Sequence, residues 1–139
     1  MRKMLFLLLT LSLASFSNPQ KKHRLTIEIK GIAKSTGKIH LAVFRKTDTF
    51  PDVTSEVKTW SISAKIPTTE ISMELPPDTY AIAVFHDANN SGKMDKNIFG
   101  MPTEVYGFSN DARENFSAPS FRKASFHLKS DAEMSIRLK

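Results

Sequence analysis

The chain has 139 residues, with 20 Lys or Arg against 14 Asp or Glu, so its formal net charge at pH 7 is +6. This length suits a single domain, and the modest basic surplus, without a basic stripe interleaved with aromatic residues, argues against nucleic acid as a partner. The chain contains no cysteine, which excludes disulfides and thiol chemistry.

The first 17 residues have the pattern of a secretory signal peptide. Arg2 and Lys3 precede an apolar run over residues 4–14, and the small residues Ser15 and Ser17 follow at the spacing that signal peptidase recognises. The run is shorter than the roughly 20 apolar residues that cross a membrane. We therefore expect export to the periplasm or the exterior, with a basic N-terminal tail over residues 18–24, a domain over 25–139, no transmembrane segment in the mature chain, and an envelope glycan or protein as the kind of partner.

Alternating apolar and polar residues after this tail predict strands rather than helices. The predicted strands cover residues 25–30, 38–44, 57–62, 70–75, 79–86, 124–129 and 134–139. We expect the last two to pair with each other, and no helix beyond short turns in the segment 96–122. Seven short strands indicate an all-β fold, an antiparallel seven-stranded β-sandwich of the immunoglobulin-like or prealbumin-like kind.

One long segment, residues 87–122, lacks clean alternation although it contains several aromatic residues. A connection of this length without secondary structure is uncommon in a compact domain unless it is functional or held in place. Its aromatic rings could stack on sugar rings or could fold back to close the end of the sandwich.

The segment begins with HDANNSGKMDKN, residues 86–97, in which oxygen-bearing residues alternate around a glycine. This spacing matches the first nine positions of a calcium-binding loop, because a tight turn points alternate oxygens at one ion. The predicted calcium ligands are the side chains of Asp87, Asn89, Ser91 and Asp95 and the main-chain carbonyl of Lys93. Position twelve is Ile98 where such loops place a glutamate, so Glu104 or Asp111 would have to complete the site.

The same residue types also form plain polar turns. Asn90, Ser91 and Gly92 make a tight turn unaided, and an Asp after a strand often accepts hydrogen bonds from main-chain N–H groups. The sequence leaves both interpretations open, and an ion bound by this loop would be structural rather than catalytic.

His86 shares strand parity with Tyr80, Ile82 and Val84, which favours a hydrogen-bonded residue at a strand end. Its neighbour Asp87 keeps a small envelope hydrolase open, with a site near His86, Asp87 and Glu104. A further alternative is an accessory domain that binds peptide or protein by strand addition at a sheet edge. No residue is assigned a catalytic role, and the main hypothesis is a non-enzymatic binding or structural module.

The segment LPPDTYAIAVFHDANNSGKMDKNIFGMPTEVYGFSN, residues 75–110, resembles the bacterial domain of unknown function family 2141. Weaker resemblance lies in FPD at 50–52 and APSFRKASF at 118–126, and the likeness runs from about Leu25 to Leu138. The resemblance implies a small exported protein with an immunoglobulin-like or transthyretin-like sandwich, and it implies no activity. Tyr80, after the turn at Pro76 and Pro77, is expected to be structural, its hydroxyl bonding to nearby main chain.

Overall fold

The computed structural model describes residues 20–54 and 57–139, and the predicted signal peptide over residues 1–17 lies outside them. The described chain contains eight strands rather than the seven that the sequence predicts. They are β1 (His23–Lys30), β2 (Lys38–Arg45), β3 (Lys58–Ser63), β4 (Thr68–Leu75), β5 (Asp78–Asp87), β6 (Tyr106–Phe108), β7 (Phe126–Leu128) and β8 (Ala132–Arg137). The additional strand is β6, which lies inside the segment expected to be one long loop.

The strands form two sheets packed face to face, which confirms the all-β sandwich. One sheet has the order β4-β1-β8, and the other has the order β3-β2-β5-β6, with β7 pairing with the beginning of β5. Alternate residues of both sheets face inward and form the main core, as the period-two pattern predicts. Among the core side chains are Leu25, Ile27, Ile29, Leu41, Val43, Met73, Ile82, Val84 and Ile136.

The last two strands do not pair with each other as expected from the sequence. β7 lies beside β5, whereas β8 crosses to the other sheet and runs parallel to β1. Beyond β8, Lys139 exchanges two main-chain hydrogen bonds with Tyr106, of 3.0 and 3.2 Å. This exchange links the two sheets along one side of the sandwich, and leaves β3 and β4 as edge strands on the other.

Helical structure in the described residues is limited to a 3₁₀ turn at Ser109–Asp111 and one turn of α-helix, α1, at Phe121–Ala124. The Ser109 hydroxyl donates to the carbonyl of Ala124 and accepts from the main-chain N–H of Ile82, so both turns are fastened to β5. The two turns, at 109–111 and 121–124, are therefore held against the larger sheet. No helix in the described ranges is long and apolar enough to cross a membrane.

Tyr80 is buried in the main core, and its hydroxyl donates to the carbonyl of Pro76 at 2.8 Å. This is the bond that the sequence predicts for a tyrosine that ties a strand to the preceding turn. It fixes the start of β5, the strand whose far end positions the candidate site.

Candidate functional site at the end of β5

The carboxylate of Asp87 is sealed beneath the loop that follows β5. Only 1% of the residue is exposed, and its oxygens accept the main-chain N–H groups of Ser91 (2.9 Å) and Gly92 (2.8 Å). The Nε2 atom of His40 on β2 lies 3.2 Å from the same carboxylate. Burial raises the pKa of Asp87, but the hydrogen bonds from Gly92, Ser91 and His40 outweigh it and hold the pKa below its usual value.

Local sequence explains why the chain turns here. Asn90 has φ +59° and Gly92 has φ +82°, and left-handed conformations are those that Asn and Gly adopt at least cost. The turn directs two successive N–H groups at Asp87, which is the arrangement that both the plain turn and the calcium loop would share.

Three oxygens of the predicted calcium loop lie close together. The Ser91 hydroxyl lies 3.0 Å from the carbonyl oxygen of Lys93 and 3.3 Å from a carboxylate oxygen of Asp95. Two oxygens that bind one calcium ion at right angles are about 3.4 Å apart, given Ca–O distances of about 2.4 Å. The Asn89 amide nitrogen donates to Asp95 at 2.7 Å, and its oxygen accepts the main-chain N–H of Ser91 at 3.0 Å.

The two residues proposed to complete the calcium loop have different positions. Glu104 reaches the loop, where its two carboxylate oxygens accept the main-chain N–H groups of Ala88 and Asp95, each at 3.2 Å. Asp111 lies elsewhere and accepts the N–H of Arg137. Within residues 20–54 and 57–139, no group of three or more His, Asp or Glu side chains could hold a metal ion, so an ion in this loop would rely on neutral oxygens beside Asp87 and Asp95.

His86 and Asp87, as neighbours on β5, project to opposite faces of the sheet. His86 is buried on the core side, and its Nε2 atom lies 2.7 Å from the carbonyl oxygen of Thr36. The histidine that meets Asp87 is instead His40, which sequence reasoning missed because the two residues are 47 positions apart and their meeting depends on the register of β2 against β5. Among the described residues, the hydrogen-bond partner of the His40 ring is the Asp87 carboxylate, and the ring makes no hydrogen bond to a hydroxyl group.

His40 belongs to a row of side chains that crosses the outer face of the larger sheet. Ser61 of β3, His40 of β2, Phe85 of β5 and Tyr106 of β6 are register partners in turn. With strands about 4.8 Å apart, such a row spans about 14 Å. The rings of His40 and Phe85 stack, with centroids 5.0 Å apart and planes within 18°, so each covers a face of the other.

This row forms part of the floor of an open groove with a volume of about 960 Å³. Its walls come from three connections, near residues 51–53, 92–102 and 114–118. Their apolar residues are Pro51, Val53, Met94, Met101, Pro102, Phe116 and Ala118, and their charged or polar residues are Asp52, Lys93, Lys96, Glu114, Asn115 and Ser117. A half-enclosed apolar cleft of this size is the usual form of a small-molecule site.

Fold and site together define the class: a small β-sandwich domain with an apolar groove on one sheet and a polar loop at the groove's end. The profile of the family described as uncharacterized protein conserved in bacteria, domain of unknown function 2141, matches residues 27–137. The chain belongs to this family, as the resemblance of its central segment indicates. No curated protein and no solved structure gives a significant match.

Proposed function

We propose that the protein is an exported, non-enzymatic binding module that holds the apolar chain of an amphiphile in the groove on the larger sheet. The observation that carries the proposal is the apolar groove itself, left uncovered beside the stacked rings of His40 and Phe85. Water in contact with such surface is displaced favourably by an apolar ligand. Export is supported by the pattern of residues 1–17, and N-terminal sequencing of the mature protein after Ser17 would test it.

The floor of the groove suits an apolar chain better than a glycan. Sugar rings bind to open aromatic faces, whereas His40 and Phe85, at the middle of the floor, use a face each in stacking on one another. The groove's charged lining residues are near its walls, and one of them, Glu114, is already paired with Lys123. The titratable residues that the sequence suggested for a hydrolase do not line the groove, since His86 points into the core and Asp87 is buried.

The single tryptophan of the chain, Trp60, packs against the main core behind the groove floor, so calorimetric titration is the suitable measure of binding. We expect laurate to bind in a saturable way. Ser61→Tyr would place a ring over the floor and weaken laurate binding by at least about tenfold, roughly 1.4 kcal/mol. Ser63→Tyr is the matched control, because Ser63 lies on the same strand and face but outside the groove. Absence of saturable binding, or equal affinity in both variants, would contradict the proposal.

We further propose that the loop at the end of β5 binds a structural calcium ion through Asp87, Asn89, Ser91, Lys93 and Asp95. The clustering of the Ser91, Lys93 and Asp95 oxygens supports it. Extracellular modules bind calcium with constants of about 10⁻⁴ to 10⁻³ M, so ~10 mM calcium would stabilise the domain by about 1.4 to 2.7 kcal/mol.

Thermal melts in calcium and in chelator test the calcium proposal. Wild type should melt at a higher temperature in calcium, Asp95→Asn should lose that difference, and Asp52→Asn, which changes an acidic residue outside the loop, should retain it. Equal wild-type melts in the two buffers would leave the plain polar turn as the correct interpretation.

A further inference from the structure

The outer edge of β3 is open, although this strand belongs to the sheet that carries the groove. β3 pairs with β2 on one side, and no strand in the part of the chain that the structure describes lies on its other side. The main-chain N–H of Ala64, directly after β3, donates to the carbonyl of Gly37, so these residues form a hydrogen-bonded pair that continues the β2–β3 ladder. Because hydrogen-bonded pairs alternate along antiparallel strands, the main-chain groups of Thr59, Ser61 and Ser63 point away from β2.

The sequence of β3, KTWSIS, carries few of the features that usually keep an edge strand unpaired. Proteins protect free edges with proline, with bulges or with charged side chains along the strand. β3 contains no proline, its register with β2 is unbroken, and its one charged residue, Lys58, is the first of the strand. The edge strand of the other sheet, β4, differs because Glu70 and Glu74 are exposed along it. The edge of β3 is therefore the better suited to pairing with a further strand.

A second copy of β3 fits this edge in one antiparallel register, about a twofold axis at Ser61. In that register Thr59 lies opposite Ser63 of the second copy, and Ser61 lies opposite its own equivalent. The outward main-chain N–H and carbonyl groups of all three residues are then paired. A shift by two residues leaves one of the three opposite a residue outside the strand, and a shift by one sets inward side chains opposite outward ones.

The side chains of β3 suit this register on both faces. On the inner face, Trp60 lies opposite Ile62 of the second copy, and aromatic and β-branched residues are favourable cross-strand neighbours. Both residues are only half-buried at the border of the main core, so pairing covers apolar surface that a single copy leaves in water. On the outer face no charges meet. The same operation on β4 would instead set Glu70 opposite Glu74, which is unfavourable.

We infer that two copies of the domain pair through the edges of β3, antiparallel and about a twofold axis at Ser61, so that their larger sheets become one continuous sheet. The inference goes beyond the proposed function, because the pairing needs no ligand in the groove. The groove floors of the two copies lie on the same face of the joined sheet and meet at the axis. An edge of six residues buries less than the roughly 1,200 Å² of a standard interface, so the dimer dissociates readily.

The test changes the charges at the predicted pair of Thr59 and Ser63. Thr59→Lys/Ser63→Lys sets lysine opposite lysine across the axis, whereas Thr59→Lys/Ser63→Glu, the matched control, sets lysine opposite glutamate. In a single copy the two positions are exposed and roughly 13 Å apart, so both variants should fold like wild type, which melting temperatures at low protein concentration would confirm.

Sedimentation equilibrium without ligand measures the dissociation constant of the dimer. We expect wild type to show a concentration-dependent equilibrium between monomer and dimer. Thr59→Lys/Ser63→Lys should raise the dissociation constant by at least about fivefold, and Thr59→Lys/Ser63→Glu should leave it unchanged or lower. High salt should reduce the difference between the two variants, because it screens exposed charges.

Hydrogen exchange locates the interface. The N–H groups of Thr59, Ser61 and Ser63 should exchange more slowly as the protein concentration rises, whereas those of β4, the control edge, should not change. A wild type that stays monomeric, equal dissociation constants for the two charge variants, or slower exchange at β4 instead would overturn the pairing. If the monomer bound an unrelated extended peptide at this edge, that peptide would be the occupant. Laurate binding is measured separately, so either proposal can fail without the other.

Discussion

The outer face of the larger sheet has two halves, one covered and one open. In the covered half, Phe50 packs its ring edgewise against Phe44, Phe108 and Phe121, with centroids 5.1, 5.6 and 6.1 Å apart. In the open half, the row of Ser61, His40, Phe85 and Tyr106 faces the groove. Both halves belong to the same strands β2, β5 and β6.

The difference arises from the connections, not from the strands. Phe50 belongs to the connection after β2 and Phe121 to the helix α1, and together they form a second, smaller core over one half. The same connections only border the other half. An apolar face that the chain could have covered but leaves open is the physical basis for proposing a ligand there.

We expect the largest loss of stability from a substitution at Gly37, where close backbone packing holds the end of the open half. Gly37 has φ +76°, and a Cβ added to it would lie 2.0 Å from the carbonyl oxygen of Asp87. Gly37→Ala would therefore force β2 and β5 apart, and we expect a loss of about 3 kcal/mol in the free energy of unfolding. Chemical denaturation measures it.

Gly92→Ala is the matched control for this prediction. Gly92 also has a positive φ, +82°, but an added Cβ would meet nothing within 4 Å. Only the cost of the left-handed conformation remains, about 1 kcal/mol. Equal losses in the two variants would mean that close packing of Gly37 on β5 does not hold this end of the groove.

The stability of the covered half should depend on the packing of its phenylalanine rings. Removing the half-buried Phe50 side chain leaves Phe44 and Phe108 without their cover, so Phe50→Ala should cost about 2 to 3 kcal/mol. Phe85→Ala in the open half should cost less, because Phe85 already faces the groove. Comparable losses in denaturant titrations would show that both halves are equally covered in solution.

Much of the fold was predictable because alternation is a local signal. It located seven of the eight strands, and the turn at Pro76 and Pro77 pointed to the bond made by Tyr80. β6 was missed because three residues centred on Gly107 carry no readable period. Gly107 is required by a distant neighbour, since a Cβ there would lie 2.8 Å from the carbonyl oxygen of Arg137.

Only the part of the site that is formed by residues adjacent in sequence could be predicted. The turn that satisfies Asp87 with Ser91 and Gly92 follows from adjacent residues, whereas the approach of His40 depends on strand register. The relative direction of two paired strands cannot be read from the sequence either, because alternation is the same in parallel and antiparallel strands. The parallel pairing of β1 and β8 was therefore not predicted. The groove could not be predicted, because it forms only where three separate connections border the same face of the sheet.

The carboxylate of Asp87, at the end of the open half, should make part of the stability dependent on pH. Its pKa is lowered in the folded protein, so its ionised form adds stability above the unfolded pKa of about 3.9, and this is lost as the pH falls through the folded pKa. We expect Asp87→Asn to cost about 2 kcal/mol at neutral pH, because one of the N–H groups of Ser91 and Gly92 loses its acceptor and the other loses a charged acceptor.

The difference between wild type and Asp87→Asn should shrink as the pH falls below about 4, because the unfolded wild type then binds a proton that the folded protein still excludes. Asp131 is the control, because its pKa is lowered chiefly by the main-chain N–H of Arg24, on the other sheet and far along the chain from the loop. Asp131→Asn should cause a smaller loss in the same pH range. A constant difference for Asp87→Asn across the acid range would contradict the role of its charge.

The smallest effect on stability is expected from Phe116, which lines the groove but is 94% exposed. A side chain that contacts almost nothing contributes little to folding, so Phe116→Ser should change the free energy of unfolding by less than about 0.5 kcal/mol. Laurate affinity should nevertheless fall, because the wall loses an apolar side chain that only the ligand would cover. A stability loss above about 1 kcal/mol would mean that residues 114–118 close over the open half in solution, and the groove would then be a second covered core.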